Sequence, residues 1–197
     1  MGEETGTGEG AHAVGETRTG APADAAREHP LTKAEVLSLL DARGIAYELA
    51  EHPAIRTVEE ADRVCAIPFA AHMSKNLFLR DDKKRHYYLV TLPDHKRVSL
   101  ADVQAALGSR RLSFASEADL AAKLGVWPGA VTPLGLLNDA AREVEFHLDA
   151  DFVAPGRGKV GVHPCDNTAS VLLATGDLLA LLRAHGSPVF VTELPAL

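Results

Sequence analysis

The chain has little of what marks a secreted, metal-stapled or membrane-spanning protein. Its 197 residues hold only two cysteines, Cys65 and Cys165, a hundred positions apart and without Cys-x-x-Cys spacing. That is too few for a disulfide framework or a zinc ribbon. No run approaches the roughly 18 consecutive apolar residues that a membrane span needs. The first residues lack the apolar core of a secretory signal. A reducing, cytoplasmic setting is the expectation. An excess of positive charge is also lacking: the formal net charge is -7, which argues against coating nucleic acid through bulk charge.

What is present is ordinary for one globular domain, with 46% hydrophobic and 24% charged residues. The acidity is concentrated at the front. Residues 1–30 carry six acids and two bases, a net of -4, so the remaining 167 residues are nearly neutral at -3. This first segment is rich in Gly, Glu, Ala and Thr and has almost nothing large and apolar to bury. It is expected to be a disordered tail, with the domain spanning 31–197.

Local signals place the elements of that domain. Thr32 and Glu35 form a capping-box pattern ahead of an apolar face, and Gly44 ends the helix. Ile45–Ala50 reads as a strand, and Thr57–Glu60 opens a second short helix running to about Val64. Lys75–Arg80 and His86–Leu92 read as a hairpin around the charged turn 81–85. Helices are expected at 100–107, stopped by Gly108, and at 117–124, capped by Ser116 and stopped by Gly125. Val126–Leu137 is punctuated by Gly and Pro and suits a shaped loop. Strands near 143–148 and 169–174 follow, then a helix capped by Thr175 and a last strand at 188–193. The fold class is α/β of the mixed α+β kind, in one domain.

Few residues can carry chemistry. Alternation puts Lys75 on one strand face with Leu77 and Leu79. A lysine on a core face needs a counter-charge or a task; at a strand's first position it can equally snorkel outward. Gly129-Ala130-Val131-Thr132-Pro133, followed by Gly135, is a run whose small residues and peptide N–H groups suit a carboxyl or carbonyl oxygen, or simply a turn. His52-Pro53 and His163-Pro164 follow expected strand ends, and His163 has Asn167 and Thr168 close behind. His52, His72, His86, His163 and Cys165 lack any recognisable ligand spacing, so no metal is expected. Cys65 and Cys165 read as core or incidental residues rather than nucleophiles. There is no P-loop, no Gly-x-Gly-x-x-Gly after a strand and no Gly-x-Ser-x-Gly, and no cofactor is called for.

The ordered series Glu51-His52-Pro53, Thr57–Ala61, Lys75–Asp81, Leu112–Ser116, Gly129–Pro133 and Asn138-Asp139, with the later His163-Pro164 and Asn167-Thr168, resembles a known family. It is similar to the free-standing YbaK/prolyl-tRNA synthetase-associated editing domains, in the branch called ProXp-ala or PrdX. The resemblance covers about residues 31–197. It implies a strongly curved mixed sheet surrounded by helices, and a trans-editing deacylase that hydrolyses alanine wrongly attached to proline tRNA. It places the family's essential lysine on Lys75 with Asn76 beside it, its Gly-x-x-x-Pro loop on Gly129–Pro133, and its pocket histidine on His163. One departure is Ile67–Lys75, where relatives usually carry a more glycine-rich link; it bears on the pocket wall, for which Ile55, Val64 and Leu77 are candidates. Lys83, Lys84, Arg85, Lys96, Arg97, Arg110 and Arg111 are candidate acceptor-stem contacts. The implied partners are an aminoacylated tRNA and prolyl-tRNA synthetase. The same fold acting on a Cys or Ser ester, and a binding module without hydrolysis, are the alternatives.

Overall fold

Side-chain caps set the helix starts. In the computed structural model, which describes residues 29–54 and 67–197, Thr32 and Glu35 complete the expected capping box of helix α1, Lys33–Ala42. Ser99 caps α2, Leu100–Leu107. Ser116 and Asp119 form a second capping box on α3, Glu117–Leu124. Gly108 and Gly125 end α2 and α3 in the left-handed conformation that a Cβ disfavours. The final helix, α4, spans Thr175–His185 but is not capped by Thr175, which lies inside it. The Thr175 hydroxyl instead donates to the Phe152 carbonyl at 3.3 Å, tying the helix to a neighbouring turn. The short helix expected at 57–64 lies outside the described residues.

The strands, in chain order, are β1 (Tyr47–Glu51), β2 (Ser74–Asp81), β3 (Tyr87–Pro93), β4 (Leu112–Phe114), β5 (Val144–Asp149), β6 (Lys159–Val162), β7 (Ala169–Ala174) and β8 (Val189–Thr192). The expected hairpin is β2–β3, closed by Asp81, whose carboxylate accepts from the Arg85 N–H at 2.8 Å. Two short strands, β4 and β6, were not expected from the sequence. The curvature expected of the sheet takes the form of two sheets. One has the order β1-β7-β6 and is antiparallel. The other has the order β4-β2-β3-β5-β8 and is mixed: β2 is antiparallel to β3 and β4, while β5 runs parallel to β3 and β8.

The sheets meet where Met73, just before β2, bridges to Gly161 in β6. The Ser74 hydroxyl donates to the Gly161 carbonyl across the same joint, at 2.8 Å. A Cβ on Gly161 would lie 2.7 Å from the Met73 sulfur and 3.3 Å from the His72 carbonyl oxygen. Glycine is therefore what lets the backbones approach. The main core gathers Val36 and Leu40 of α1, Phe78, Leu89, Phe146, Leu148, Val171 and Leu178. A smaller core on the opposite face of the mixed sheet holds Leu79, Val90 and Leu92 against Val103 of α2. Among the described residues, no helix is long and apolar enough to cross a membrane.

Candidate active site

The first two candidates stand side by side on β2 but leave it on opposite faces, as alternation requires. Asn76 pairs with Thr91 in register and lies on the face of Phe78 and Leu89. Its Oδ1 accepts from the fully buried Thr91 hydroxyl at 2.6 Å, which leaves its amide nitrogen to donate to the Val131 carbonyl at 2.9 Å. Lys75 sits on the face of Leu77 and Leu79. Its ammonium donates to the Asp94 backbone carbonyl at 2.9 Å. Burial lowers its proton affinity and the Arg97 guanidinium adds to that, against the opposing pull of the Asp94 carboxylate. The half-buried head thus lies between the two sequence readings, a core-face lysine with a counter-charge or task and one that snorkels outward, and finds a backbone carbonyl.

The loop beginning at Trp127 is built by its own chemistry. The Ala130 N–H donates to the Trp127 carbonyl at 2.9 Å, with Pro128 and Gly129 between and Gly129 at φ +91°. Proline first and a left-handed glycine second define a type II turn. Beyond it, the Thr132 hydroxyl donates to the His163 carbonyl at 2.6 Å, and Pro133 opens a 3-10 turn through Asn138. Ala130, Thr132 and Pro133 are buried, so those side chains support the loop. The N–H groups of Gly129, Val131 and Thr132 have no hydrogen-bond partner among the described residues. Val131 is the partly exposed side chain at the centre.

His163 follows β6 and His52 follows β1, while Ser170 of the intervening strand β7 stands between them. His163 Nδ1 lies 2.8 Å from the Ala169 carbonyl oxygen and 3.4 Å from Ser170 Oγ. His52 Nε2 lies 3.0 Å from the same hydroxyl, with the two ring centroids 5.8 Å apart. Burial holds His163 below the ordinary imidazole value, against the proton-favouring Ala169 carbonyl. Asn76, the 129–133 loop and His163 are thus drawn together by two side-chain bonds, Asn76 to Val131 and Thr132 to His163.

Other candidates fall elsewhere. Leu77 packs on the smaller core beside Leu79, on the face away from the loop. Ile55 and Val64 lie outside the described residues, as does Cys65. Cys165 is buried and its thiol is pushed up to about 12 by that burial and by Asp166, a poor nucleophile. Of the histidines considered as ligands, the structure brings His52 and His163 together. No group of three or more His, Cys, Asp or Glu able to hold a metal occurs among the described residues. Lys83, Lys84, Arg85, Arg110 and Arg111 are exposed at the far end of the β2–β3 hairpin, where Arg110 is engaged by Asp82 at 2.7 Å. Seven residues of extended chain separate Lys75 from that turn, about 20 Å. Lys96 is held by the buried Asp149 at 2.9 Å and by Asp151 at 3.0 Å, whereas Arg97 is exposed near Lys75.

Sequence reasoning missed Thr91 and Ser170. Each is the only serine or threonine in a mostly apolar strand, and that was the signal available. Asn138 and Asp139 proved structural. Asn138 accepts the Leu31 N–H and donates to the Leu124 carbonyl, both at 2.8 Å, and Asp139 accepts the Val144 N–H.

Comparison with known proteins decides the family. The aminoacyl-tRNA editing domain matches residues 52–181, a span that includes every segment of this site. The chain belongs to the aminoacyl-tRNA editing domain family. It is an editing deacylase, a hydrolase of the aminoacyl-tRNA ester. Among relatives, it is 41% identical over 162 residues to the prolyl-tRNA editing protein ProX of Acetoanaerobium sticklandii, covering 82% of this chain and 97% of that one. It is 39% identical over 160 residues to the prolyl-tRNA synthetase associated domain-containing protein 1 of Mus musculus, covering 78% and 91%. A solved structure provisionally described as a trans-editing enzyme for prolyl tRNA synthetase superposes with a TM-score of 0.60 at 23% identity, covering 83% of this chain and 98% of that one. That likeness establishes the editing-domain fold.

Proposed function

We propose that this editing deacylase hydrolyses the ester of alanine mischarged on proline tRNA, in the cytoplasm and in support of prolyl-tRNA synthetase. The observation that carries the reading is the convergence of Asn76, Val131, Thr132 and His163 through two hydrogen bonds, in a chain so similar to a prolyl-tRNA editing protein. A synthetase pocket made for proline rejects the smaller alanine weakly, since each missing methylene is worth only about 1–3 kcal/mol. A second site that admits by size restores the discrimination.

The ester is already activated, so the site has three tasks: hold the carbonyl, place a water and anchor the terminal nucleotide. The N–H groups of Gly129, Val131 and Thr132 are the donors we assign to the carbonyl oxygen, where charge develops as water attacks. Lys75 is assigned to the phosphate or ribose of the terminal nucleotide, its ammonium positioned by the Asp94 carbonyl. His163, neutral at physiological pH, orients the water or a ribose hydroxyl. The acceptor stem is assigned to the exposed bases Lys83, Lys84, Arg85 and Arg111.

The test is deacylation of Ala-tRNA(Pro), beside Pro-tRNA(Pro) and Ala-tRNA(Ala), by wild type and Lys75→Ala. Selective hydrolysis of the first, lost in the variant, supports the proposal. Preference for a Cys- or Ser-charged tRNA, or binding without hydrolysis, refutes it.

A further inference from the structure

We infer that Ser170 and His52 are positioning residues that back the Ala169 carbonyl in holding the His163 ring, with its proton on Nδ1 and its Nε2 lone pair open to the substrate. The inference deepens the proposed role of His163 and rests on that reading for its effect on catalysis.

The argument is one of hydrogen-bond direction. A carbonyl oxygen can only accept. His163 Nδ1, 2.8 Å from the Ala169 carbonyl, must therefore carry the proton. His52 Nδ1 lies 3.0 Å from the Pro53 carbonyl, so it too carries a proton, and in the neutral ring its Nε2 is the bare nitrogen. The Ser170 hydroxyl, 3.0 Å from that Nε2, must then donate to it. With its proton so committed, the Ser170 oxygen turns lone pairs toward His163 Nδ1 at 3.4 Å, where it can only accept. Every polarity in the chain is fixed: His163 to Ser170, Ser170 to His52, and His52 to the Pro53 carbonyl.

The alternative tautomer of His163 is expensive here. It would set the bare Nδ1 against the Ala169 carbonyl lone pairs and would offer Ser170 no proton to accept. Ser170 is fully buried and His52 nearly so, and opposed lone pairs at such sites gain no relief from water. The fold makes the arrangement natural. Ser170 is on β7, the central strand of its sheet, and the two histidines follow the strands on either side. His52 continues the ladder, its N–H donating to the Thr168 carbonyl at 2.9 Å. His163 Nε2 has no partner among the described residues, and its ring is partly exposed. It is thus an acceptor at the site, held there by its second nitrogen.

The test is long-range proton–nitrogen NMR on the full chain labelled with ¹⁵N-histidine, with His163 assigned by its disappearance in His163→Gln. The expected wild-type spectrum at neutral pH has a protonated Nδ1 and a bare Nε2. In Ser170→Ala the Ala169 carbonyl still holds the Nδ1 proton, so the tautomer should persist, but the ring loses its second contact and kcat/KM for Ala-tRNA(Pro) should fall about tenfold, the size of one modest hydrogen bond. His52→Gln, which keeps an acceptor for the Ser170 proton, should retain most of the activity, whereas His52→Leu should behave like Ser170→Ala. A wild-type His163 protonated on Nε2, or undiminished kcat/KM in Ser170→Ala, overturns the inference. If the wild type hydrolyses no aminoacyl-tRNA, the functional reading fails, and the NMR experiment still decides the tautomer.

Discussion

Asn76 offers a direct test of whether the loop is held by side-chain bonds or by its own turn. Replacing it with alanine removes the acceptor of the Thr91 hydroxyl and the donor to the Val131 carbonyl. Thr91 is wholly buried, so its hydroxyl is left without a partner, which costs about 1–3 kcal/mol. The Val131 carbonyl belongs to a partly exposed residue and can recruit water, so its loss adds about 0.5–1 kcal/mol. Asn76→Ala should therefore lose roughly 2–3 kcal/mol of stability. Thr91→Val on its own should lose about 1 kcal/mol, because Asn76 keeps its bond to the loop. The double variant removes the stranded hydroxyl together with its acceptor, and should be less damaged than the sum by at least ~1 kcal/mol. Urea unfolding at constant slope measures all three. In deacylation assays, Asn76→Ala should lose kcat more than it raises KM, since the loop donors are displaced rather than removed. Additivity within about 0.5 kcal/mol, or undiminished deacylation in Asn76→Ala, would refute the clamp.

Other outcomes follow from the same geometry. Gly161→Ala should lower the melting temperature and cost about 1–3 kcal/mol, because its new methyl meets both Met73 and the His72 carbonyl where the sheets join. Asp119, held down to about 2 by the Ser116 hydroxyl, Tyr87 and Arg80, stabilises the fold above its unfolded value of about 3.8. That contribution, roughly 1–2 kcal/mol, should fade as pH falls from about 4 to 2. Asp119→Asn should accordingly unfold more easily than wild type at pH 7 and no more easily near pH 2. Cys165→Ala should deacylate at the wild-type rate, and Cys165 in the native protein should resist alkylation at pH 8, as its raised thiol value and burial require.

The parts of the fold legible in the sequence were those dictated by neighbours along the chain. Thr32 with Glu35, Ser99 with Asp102 and Ser116 with Asp119 act over three residues, and the β2–β3 hairpin closes over a handful. Strands β4 and β6 were not legible because three or four residues carry too little periodicity. They exist through pairing with β2 and β7. Thr175 looked like a cap because its residue type suits one; its hydroxyl found Phe152 instead. At the candidate site, the segments that meet could be named from the sequence, but the bonds among them could not. Asn76 reaches Val131 across 55 positions and Thr132 reaches His163 across 31, separations at which nothing in local sequence specifies a partner. That Lys75 and Asn76, adjacent in sequence, serve opposite faces of one strand was by contrast legible from strand alternation.

That opposition constrains how a tRNA can lie on the protein. The donors proposed for the carbonyl and His163 are on the Asn76 face, while the Lys75 ammonium is on the other, beside the Asp94 carbonyl and near Arg97. A substrate that meets both must reach around the start of β2, close to the joint where Met73 meets Gly161. The ester lies at the 3′ end of a flexible single strand, which can make such a bend, whereas the stiff acceptor duplex cannot. The exposed cluster of Lys83, Lys84, Arg85 and Arg111 stands about 20 Å further along the hairpin. Distance of that order suits a contact with the duplex behind the single-stranded end. Charge reversal there should weaken binding and flatten its loss with salt, because each phosphate contact removed lowers the salt slope by about one. Charge removal at Lys75 should instead act on the ester-bearing nucleotide, and so on kcat as well as on KM.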